Sequence, residues 1–357
     1  MKAFFKNKKI LITGHTGFKG SWLSTWLLML EADVHGFSKN VSSSNSMYNK
    51  VGLENEINSN FGDILDLNAL TQVVNLVKPD IIFHLAAQPI VSIGYADPVS
   101  TFNTNIIGTV NILEALRKLD NSCVLVNITS DKCYSNKEWV WGYRENDDLG
   151  GADPYSASKS GAEIIFNSYF RSYFSLNDSK KVASARAGNV IGGGDWGINR
   201  LIPDCIRSWD TKNEIKIKNP LSVRPWQHVL DAIYGYLLLA QNLSIEKANN
   251  GEAFNFGQTA SESVNVNCLV DLLAKEYHKR GSEAQYIIEN EQNFVEFQRL
   301  NLNCDKAYSQ LGWRPRIDIN KAIYLTAEWY IQNKQDNTKL LTLTQKQILD
   351  FQNQISN

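Results

Sequence analysis

A doubly wound α/β architecture, with a parallel sheet and helices on both faces, is what this 357-residue sequence predicts. Three observations predict it. Apolar strand-like runs alternate with helical periodicities through the first half of the chain. A glycine-rich turn joins the first run to the first long helix. Several runs, "DIIFHLAA" and "CVLVNITS" among them, are apolar at consecutive positions, as in strands covered on both faces.

Taken in order, "KKILITG" is a strand running into glycines. "SWLSTWLLMLEA" has helical spacing that puts Trp22, Trp26, Leu27 and Leu30 on one face. "DVHGFS" and "INSNFGDI" are the second and third strands, and "LNALTQVVNLVK" is the helix after them. "DIIFHLAA", the amphipathic helix "STFNTNIIGTVNILEALRKL" and the strand "CVLVNITS" follow. The helix "YSASKSGAEIIFNSYFRSYF" and the strand "KVASARAGNV" close the series. Six strands separated by helices imply right-handed crossovers and a binding crevice at the carboxyl ends of the strands. Beyond residue 190 the alternation becomes irregular. The expected division is a nucleotide-binding unit over 1–190, to which 225–260 returns, and a smaller, interleaved substrate-binding unit from 191–224 and 261–357.

Composition bounds the function. Apolar residues make up 43%, enough for a full core. A formal net charge of -1 gives no general attraction to nucleic acid or an anionic membrane, so an anionic ligand has to meet local cations. Cys123, Cys133, Cys205, Cys268 and Cys304 are scattered, odd in number and without CxxC spacing, which fits reduced thiols in a cytoplasmic protein. The N-terminal stretch lacks the apolar run and cleavage site of a signal peptide. No segment approaches the roughly 20 apolar residues of a membrane helix. With five histidines and neither HxxxH nor HxH, no metal is expected, and His84 reads as a core residue.

"TGHTGFKGSW" places Gly14, Gly17 and Gly20 between a strand and a helix. Gly14 permits the tight turn, Gly17 lets backbone approach a pyrophosphate, and Gly20 allows close packing of helix on strand. Thr16 and Phe18 belong to the same loop. This is the phosphate-binding turn of a Rossmann-type sheet. The acid expected about 20 residues onward to hold a ribose hydroxyl is missing; Ser38 and Lys39 occupy that region. Ser38 suits a hydroxyl and Lys39 a 2′-phosphate, so these residues alone leave NAD and NADP open. Asp63, in "FGDILD", can accept from an adenine amine with Ile64 over the ring, or can cap the following turn. "HLAAQP" ends the fourth strand with Leu85, Ala86 and Ala87, the two alanines small enough for a cofactor to lie against the backbone.

Tyr155 and Lys159, in "YSASK", stand four apart and share a helix face. A free tyrosine titrates near pH 10; an adjacent ammonium and a cationic nicotinamide are expected to lower it toward the range of a working base. Ser130, at the end of the fifth strand, can bond the hydroxyl that Tyr155 deprotonates. Together the three make a hydride-transfer site for an alcohol.

These motifs, with "GDILD", "HLAAQP" and the late "CDKAYSQLGWRP", resemble the extended short-chain dehydrogenase/reductase family across most of the chain. Within it, "TSDKCYSNKEWVWGYRE" and "TGHTGFKGSWL" are similar to the sugar-nucleotide 4,6-dehydratases, in particular the branch acting on CDP-glucose, because lysine rather than glutamate stands at 132. The resemblance implies tightly held NAD, a nucleotide-sugar substrate, deoxysugar synthesis for a surface glycan such as O-antigen, and a homo-oligomer formed through helices 100–119 and 155–172. It implies that Asp131 is the acid toward a C6 hydroxyl and Lys132 the C5 base, alone or with an ordered water. Gln88, Asn189, Arg200, Arg224 and Arg299 are its substrate-binding residues, the arginines suited to a diphosphate. Trp139, Trp141 and Tyr143 either cover the sugar or pack a long loop. Two other readings are a nucleotide-sugar epimerase, in which Asp131 and Lys132 would be idle, and a non-catalytic dinucleotide-binding protein, against which the Tyr155–Lys159 pairing weighs.

Overall fold

The computed structural model describes residues 1–41, 43–245, 249–258, 263–289 and 299–356. Its centre is a sheet of parallel strands. We label them β1 (Lys9–Thr13), β2 (Asp33–Ser38), β3 (Asn58–Phe61), β4 (Ile81–His84), β5 (Cys123–Ile128), β6 (Lys180–Ala187) and β7 (Ala253–Phe256). The spatial order is β7-β6-β5-β4-β1-β2-β3, and each neighbouring pair is parallel. The order reverses between β1 and β4, so the crevice opens where Thr13 and His84 lie in register.

Alternation along the strands sorts side chains to two faces. Leu11, Ile82, Leu125 and Val182 join one apolar cluster with Ile112, Leu116 and Phe166 of the helices Gly108–Lys118 and Pro154–Tyr169. Ile10, Ile12, Phe83, Val126 and Ala183 face a larger cluster that reaches Phe351 near the C-terminus. The helix Phe18–Met29 explains that reach. It buries Trp22, Leu23, Trp26 and Leu27 and has no polar face, so it needs cover on its outer side as well as its inner one. The C-terminal helix Leu340–Ser356, assigned by sequence pattern to the smaller unit, supplies that cover: Phe351 meets Trp26 edge-on with ring centroids 5.5 Å apart.

The segments between β6 and β7, and after β7, roof the carboxyl end of the sheet. The helix Leu201–Asp210 is followed by the short strand Ile215–Ile217, which pairs in parallel with Tyr286–Ile288. Val223–Arg224 pairs antiparallel with Val264–Asn265. Beneath this roof and above the strand ends lies the main cavity.

Candidate active site

The cavity has a volume of about 1240 Å³ and runs from the glycine loop to Arg224. At its β1 end, Gly14 has φ +78°, a left-handed conformation natural to glycine. A Cβ there would lie 2.8 Å from the amide nitrogen of Ala86, so β1 and β4 approach closely only because that atom is missing. At Gly20 a Cβ would lie 2.2 Å from the carbonyl oxygen of Gly14. The loop is therefore a backbone cradle at the start of a twelve-residue helix, a site whose exposed N–H groups suit a diphosphate. Thr16, Gly17, Phe18, Ser38, Asp63, Ile64, Leu85, Ala86 and Ala87 all line it, with Gly14 and Gly20.

Ser38 and Lys39 are both engaged. Ser38 Oγ lies 2.9 Å from His15 Nδ1, and burial pushes the imidazole down to about 4, so it is neutral at ordinary pH. Lys39 pairs with Asp63 at 2.9 Å, and Asp63 Oδ1 accepts from Leu65 N at 3.0 Å. Asp63 thus caps the turn after β3 while lining the cavity.

At the β5 end, Ser130 begins a single turn of 3₁₀ helix, Asp131–Cys133. Its hydroxyl accepts from Lys132 N at 3.2 Å and donates to Asp131 Oδ1 at 3.0 Å. Asp131 is 1% exposed, and its Oδ2 has no hydrogen-bond partner among the described residues. A buried carboxyl oxygen without a partner is costly; a substrate hydroxyl entering the cavity would pair with it. Gly188, after β6, makes room, since a Cβ there would meet Oδ2 at 2.2 Å. Lys132 is half-buried and opens onto the same space.

Tyr155 and Lys159 lie on the helix Pro154–Tyr169, which Asp153 caps by accepting from Ser156 N at 3.0 Å. Both line the cavity and both are buried. Burial pushes Lys159 down to about 8. Burial pushes Tyr155 up to about 12, against the opposing hydrogen bond of Ser130 and with Asp131 adding to the rise. The expected lowering is not what the protein alone provides: desolvation of the phenolate outweighs the Ser130 hydrogen bond and the charge of Arg200.

Asn189, Arg200 and Arg224 also line the cavity. Arg200 Nη1 contacts both carboxylate oxygens of Asp195 at 2.9 Å. Gln88 and Arg299 do not line it. Gln88 Nε2 donates to Thr101 at 2.8 Å, its Oε1 accepts from Ile90 N at 2.6 Å, and Asn105 holds its backbone, so it braces the loop after β4. Arg299 is an exposed residue whose backbone pairs with Val223. Nor do the aromatics of the loop after Ser130 cover the cavity. Tyr143 stacks on Tyr134 at 5.2 Å and on Trp139 at 5.4 Å in a satellite core, and Trp141 is 55% exposed. Packing of the loop is what they do.

Three cavity residues escaped sequence reasoning. Lys19, in the middle of "GFKG", lies near Lys159, Arg200, Asp131 and Asp195; burial, reinforced by Arg200, pushes it down to about 8. Trp196 and Trp226 present ring N–H groups that are buried without partners among the described residues. The basic residue between two phosphate-loop glycines and the run "GGGDWG" were the available signals. Among the described residues, no group of His, Cys, Asp and Glu is arranged to hold a metal ion, and no helix is long and apolar enough to cross a membrane.

A parallel sheet with a backbone cradle at its switch point, and a Ser–Tyr–Lys set at the next strand end, defines a dinucleotide-binding protein of the short-chain dehydrogenase type. Residues 11–326 match the GDP-mannose 4,6 dehydratase family, and the chain belongs to that family. It is 43% identical over 333 residues to the CDP-glucose 4,6-dehydratase of Salmonella typhimurium, covering 92% of each chain. It is 26% identical to the dTDP-glucose 4,6-dehydratase of Haemophilus influenzae, covering 92% of this chain and 99% of that one. Among solved structures, an epimerase of Methanothermobacter thermautotrophicus superimposes with a TM-score of 0.81 at 23% identity, covering 95% of this chain and 96% of the other. DesIV, a dTDP-glucose 4,6-dehydratase of Streptomyces venezuelae solved with NAD bound, superimposes with 0.78 at 23%, covering 91% and 97%.

Proposed function

We propose that the protein removes water from CDP-D-glucose to give CDP-4-dehydro-6-deoxy-D-glucose, holding NAD through the reaction. The observation that carries this reading is the meeting, in one cavity, of Tyr155 and Lys159 with a buried acid, Asp131, and an amine, Lys132. Oxidation alone needs only the first pair. The second pair suits an elimination. The identity of 43% to a CDP-glucose 4,6-dehydratase supports the nucleotide and the sugar.

The glycine cradle and small Ala86 and Ala87 fit NAD, and Lys39 is paired with Asp63. When bound, NAD supplies a cationic nicotinamide that takes and returns a hydride and brings the positive charge a phenol at about 12 needs to act as a base. Tyr155, bonded by Ser130, takes the proton of the C4 hydroxyl. A ketone at C4 acidifies the C5 proton, which Lys132 removes. Asp131 donates to the C6 hydroxyl, which departs as water; C6 then receives the returned hydride while Lys132 gives a proton back to C5. Asn189, Arg200, Arg224 and Lys19 meet the sugar and diphosphate oxygens.

The product is the class of intermediate from which deoxysugars of surface glycans such as O-antigen are built. All five cysteines are unpaired, in keeping with a reducing cytoplasm. Exposed Ile107, Ile164 and Tyr173, on the continuous helical segments 98–118 and 154–174, suit pairing with a second copy, which light scattering would test. The reading is tested by incubating the protein with CDP-, dTDP-, UDP- and GDP-glucose and weighing the products. A product lighter by one water from CDP-glucose supports it; such a product from another nucleotide reassigns the base. An isomer of unchanged mass marks an epimerase, and no change in any marks a binding protein.

A further inference from the structure

The helix that carries Tyr155 and Lys159 carries a third buried ionisable group one turn further on. Glu163 is 0% exposed. Its carboxylate accepts from the hydroxyls of Thr129 and Ser184 and pairs with Arg186 Nη2 at 2.7 Å. Arg186, 2% exposed, donates through Nη1 to Tyr134 OH at 2.8 Å and to the Glu145 carbonyl at 3.0 Å. Tyr134 OH donates onward to Asn255 Oδ1 at 2.6 Å.

A buried ion pair stabilises a fold little more than apolar packing of the same volume would, so stability alone is a poor reason for this one. Its connections suggest another. Thr129 immediately precedes Ser130, and Tyr134 immediately follows the turn Asp131–Cys133. Glu163, directly and through Arg186, therefore ties both ends of the Ser130–Asp131–Lys132 turn to the helix bearing Tyr155 and Lys159. It also stands one turn beyond Lys159 on that helix, and its negative charge favours the protonated amine. The other titratable groups around that ammonium are Cys133 from the turn, His84 from β4 and Lys19 from the glycine loop.

We infer that Glu163 is a positioning residue, which holds the Ser130–Asp131–Lys132 turn in place against the helix bearing Tyr155 and Lys159. The inference rests on the proposed chemistry for the meaning of the turn, though not for its geometry. Glu163→Gln keeps the shape and leaves Arg186 uncompensated. The tie from Thr129 through Glu163 and Arg186 to Tyr134 is then weakened, Ser130 shifts relative to Tyr155, and the phenolate, losing that hydrogen bond, forms at higher pH. Glu163→Gln with Arg186→Met removes the lone buried cation but still lacks the tie.

The experiment is an ultraviolet titration of tyrosinate in the NAD-bound protein, each variant differenced against its Tyr155→Phe counterpart, beside kcat and KM for the sugar nucleotide. In Glu163→Gln the Tyr155 step moves up by about one pH unit, kcat falls about 30-fold and KM changes less than threefold; the double variant, which also lacks the tie, keeps the step displaced. A step that stays in place in Glu163→Gln overturns the inference, as does a double variant that returns the step to its original position. Glu163→Asp, which keeps the charge, serves in the same titration if Glu163→Gln does not fold. If the unmodified protein dehydrates no sugar nucleotide, the proposed function fails while the titration still decides the role of Glu163.

Discussion

At the β1–β4 end of the cavity the walls are backbone. Gly14 and Gly20 bring main chain within contact of main chain, and a Cβ at either would strike atoms that cannot turn aside. At the β5–β6 end the walls are side chains: Asp131 over Gly188, Tyr155 and Lys159 on one helix face, Arg200 clamped by Asp195. The first end offers chiefly N–H groups and shape, which suits a ligand that is held and not changed. The second offers an acid, an amine and a phenol within one enclosed space, which suits a ligand whose bonds are rearranged. One cavity thus divides into a part that grips and a part that reacts.

Glycine substitutions separate the two ends most sharply. Gly20→Ala puts a Cβ 2.2 Å from a carbonyl oxygen, so the loop or the helix has to shift, and a loss of about 3 kcal/mol or more is expected in thermal or urea denaturation. Gly188→Ala puts a Cβ equally close to Asp131 Oδ2, but a side chain can swing. It should melt within a few degrees of the parent and lose about 100-fold in kcat; equal destabilisation by both would erase the distinction. Asp131→Asn, nearly the same shape, should cost at least about 100-fold in dehydration while hydride exchange at C4 persists, a split readable by mass spectrometry of product and recovered substrate.

The gripping end also has a pH signature. Burial pushes His15 down to about 4 and His84 and His228 down to about 3. In the unfolded chain each titrates near 6.5, so between about pH 6.5 and 4 the unfolded state binds more protons than the folded one. Stability then falls as pH drops through that window. His84, 2.7 Å from Thr13 Oγ1 at the switch point, is the one to test: His84→Gln should flatten the slope of melting temperature against pH. A smaller effect belongs to Lys19→Met, expected to raise KM for the sugar nucleotide about tenfold. The smallest belongs to Trp141→Ala, which should change stability by less than about 0.5 kcal/mol and leave kcat alone.

How far the cavity was legible in sequence follows the same division. The glycine loop and the Tyr155–Lys159 pair are local patterns, set by one turn and one helical repeat, and both stand where their spacing predicted. So does Asp131, adjacent to Ser130 at a strand end. Lys19 escaped because a lysine between glycines has no meaning until Arg200 and Asp195, some 180 residues later, fold over it. Trp139, Trp141 and Tyr143 left two readings open for the converse reason. The loop they occupy is drawn away from the cavity by the pairing of Tyr143 with Leu302, a contact between distant segments. Gln88 was right in place and wrong in direction: it follows β4 but is turned to Thr101 by the π-helical turn Asn103–Ile107 that carries Asn105.

The claim beneath all of this is that hydrogen leaves C4 and returns, within the same enclosed site, to C6. CDP-glucose carrying deuterium at C4, converted in ordinary water, tests it directly. The account predicts that the deuterium is recovered in the new methyl group of the 4-dehydro-6-deoxy product. Deuterium lost to the solvent, with an unlabelled methyl group, would contradict it.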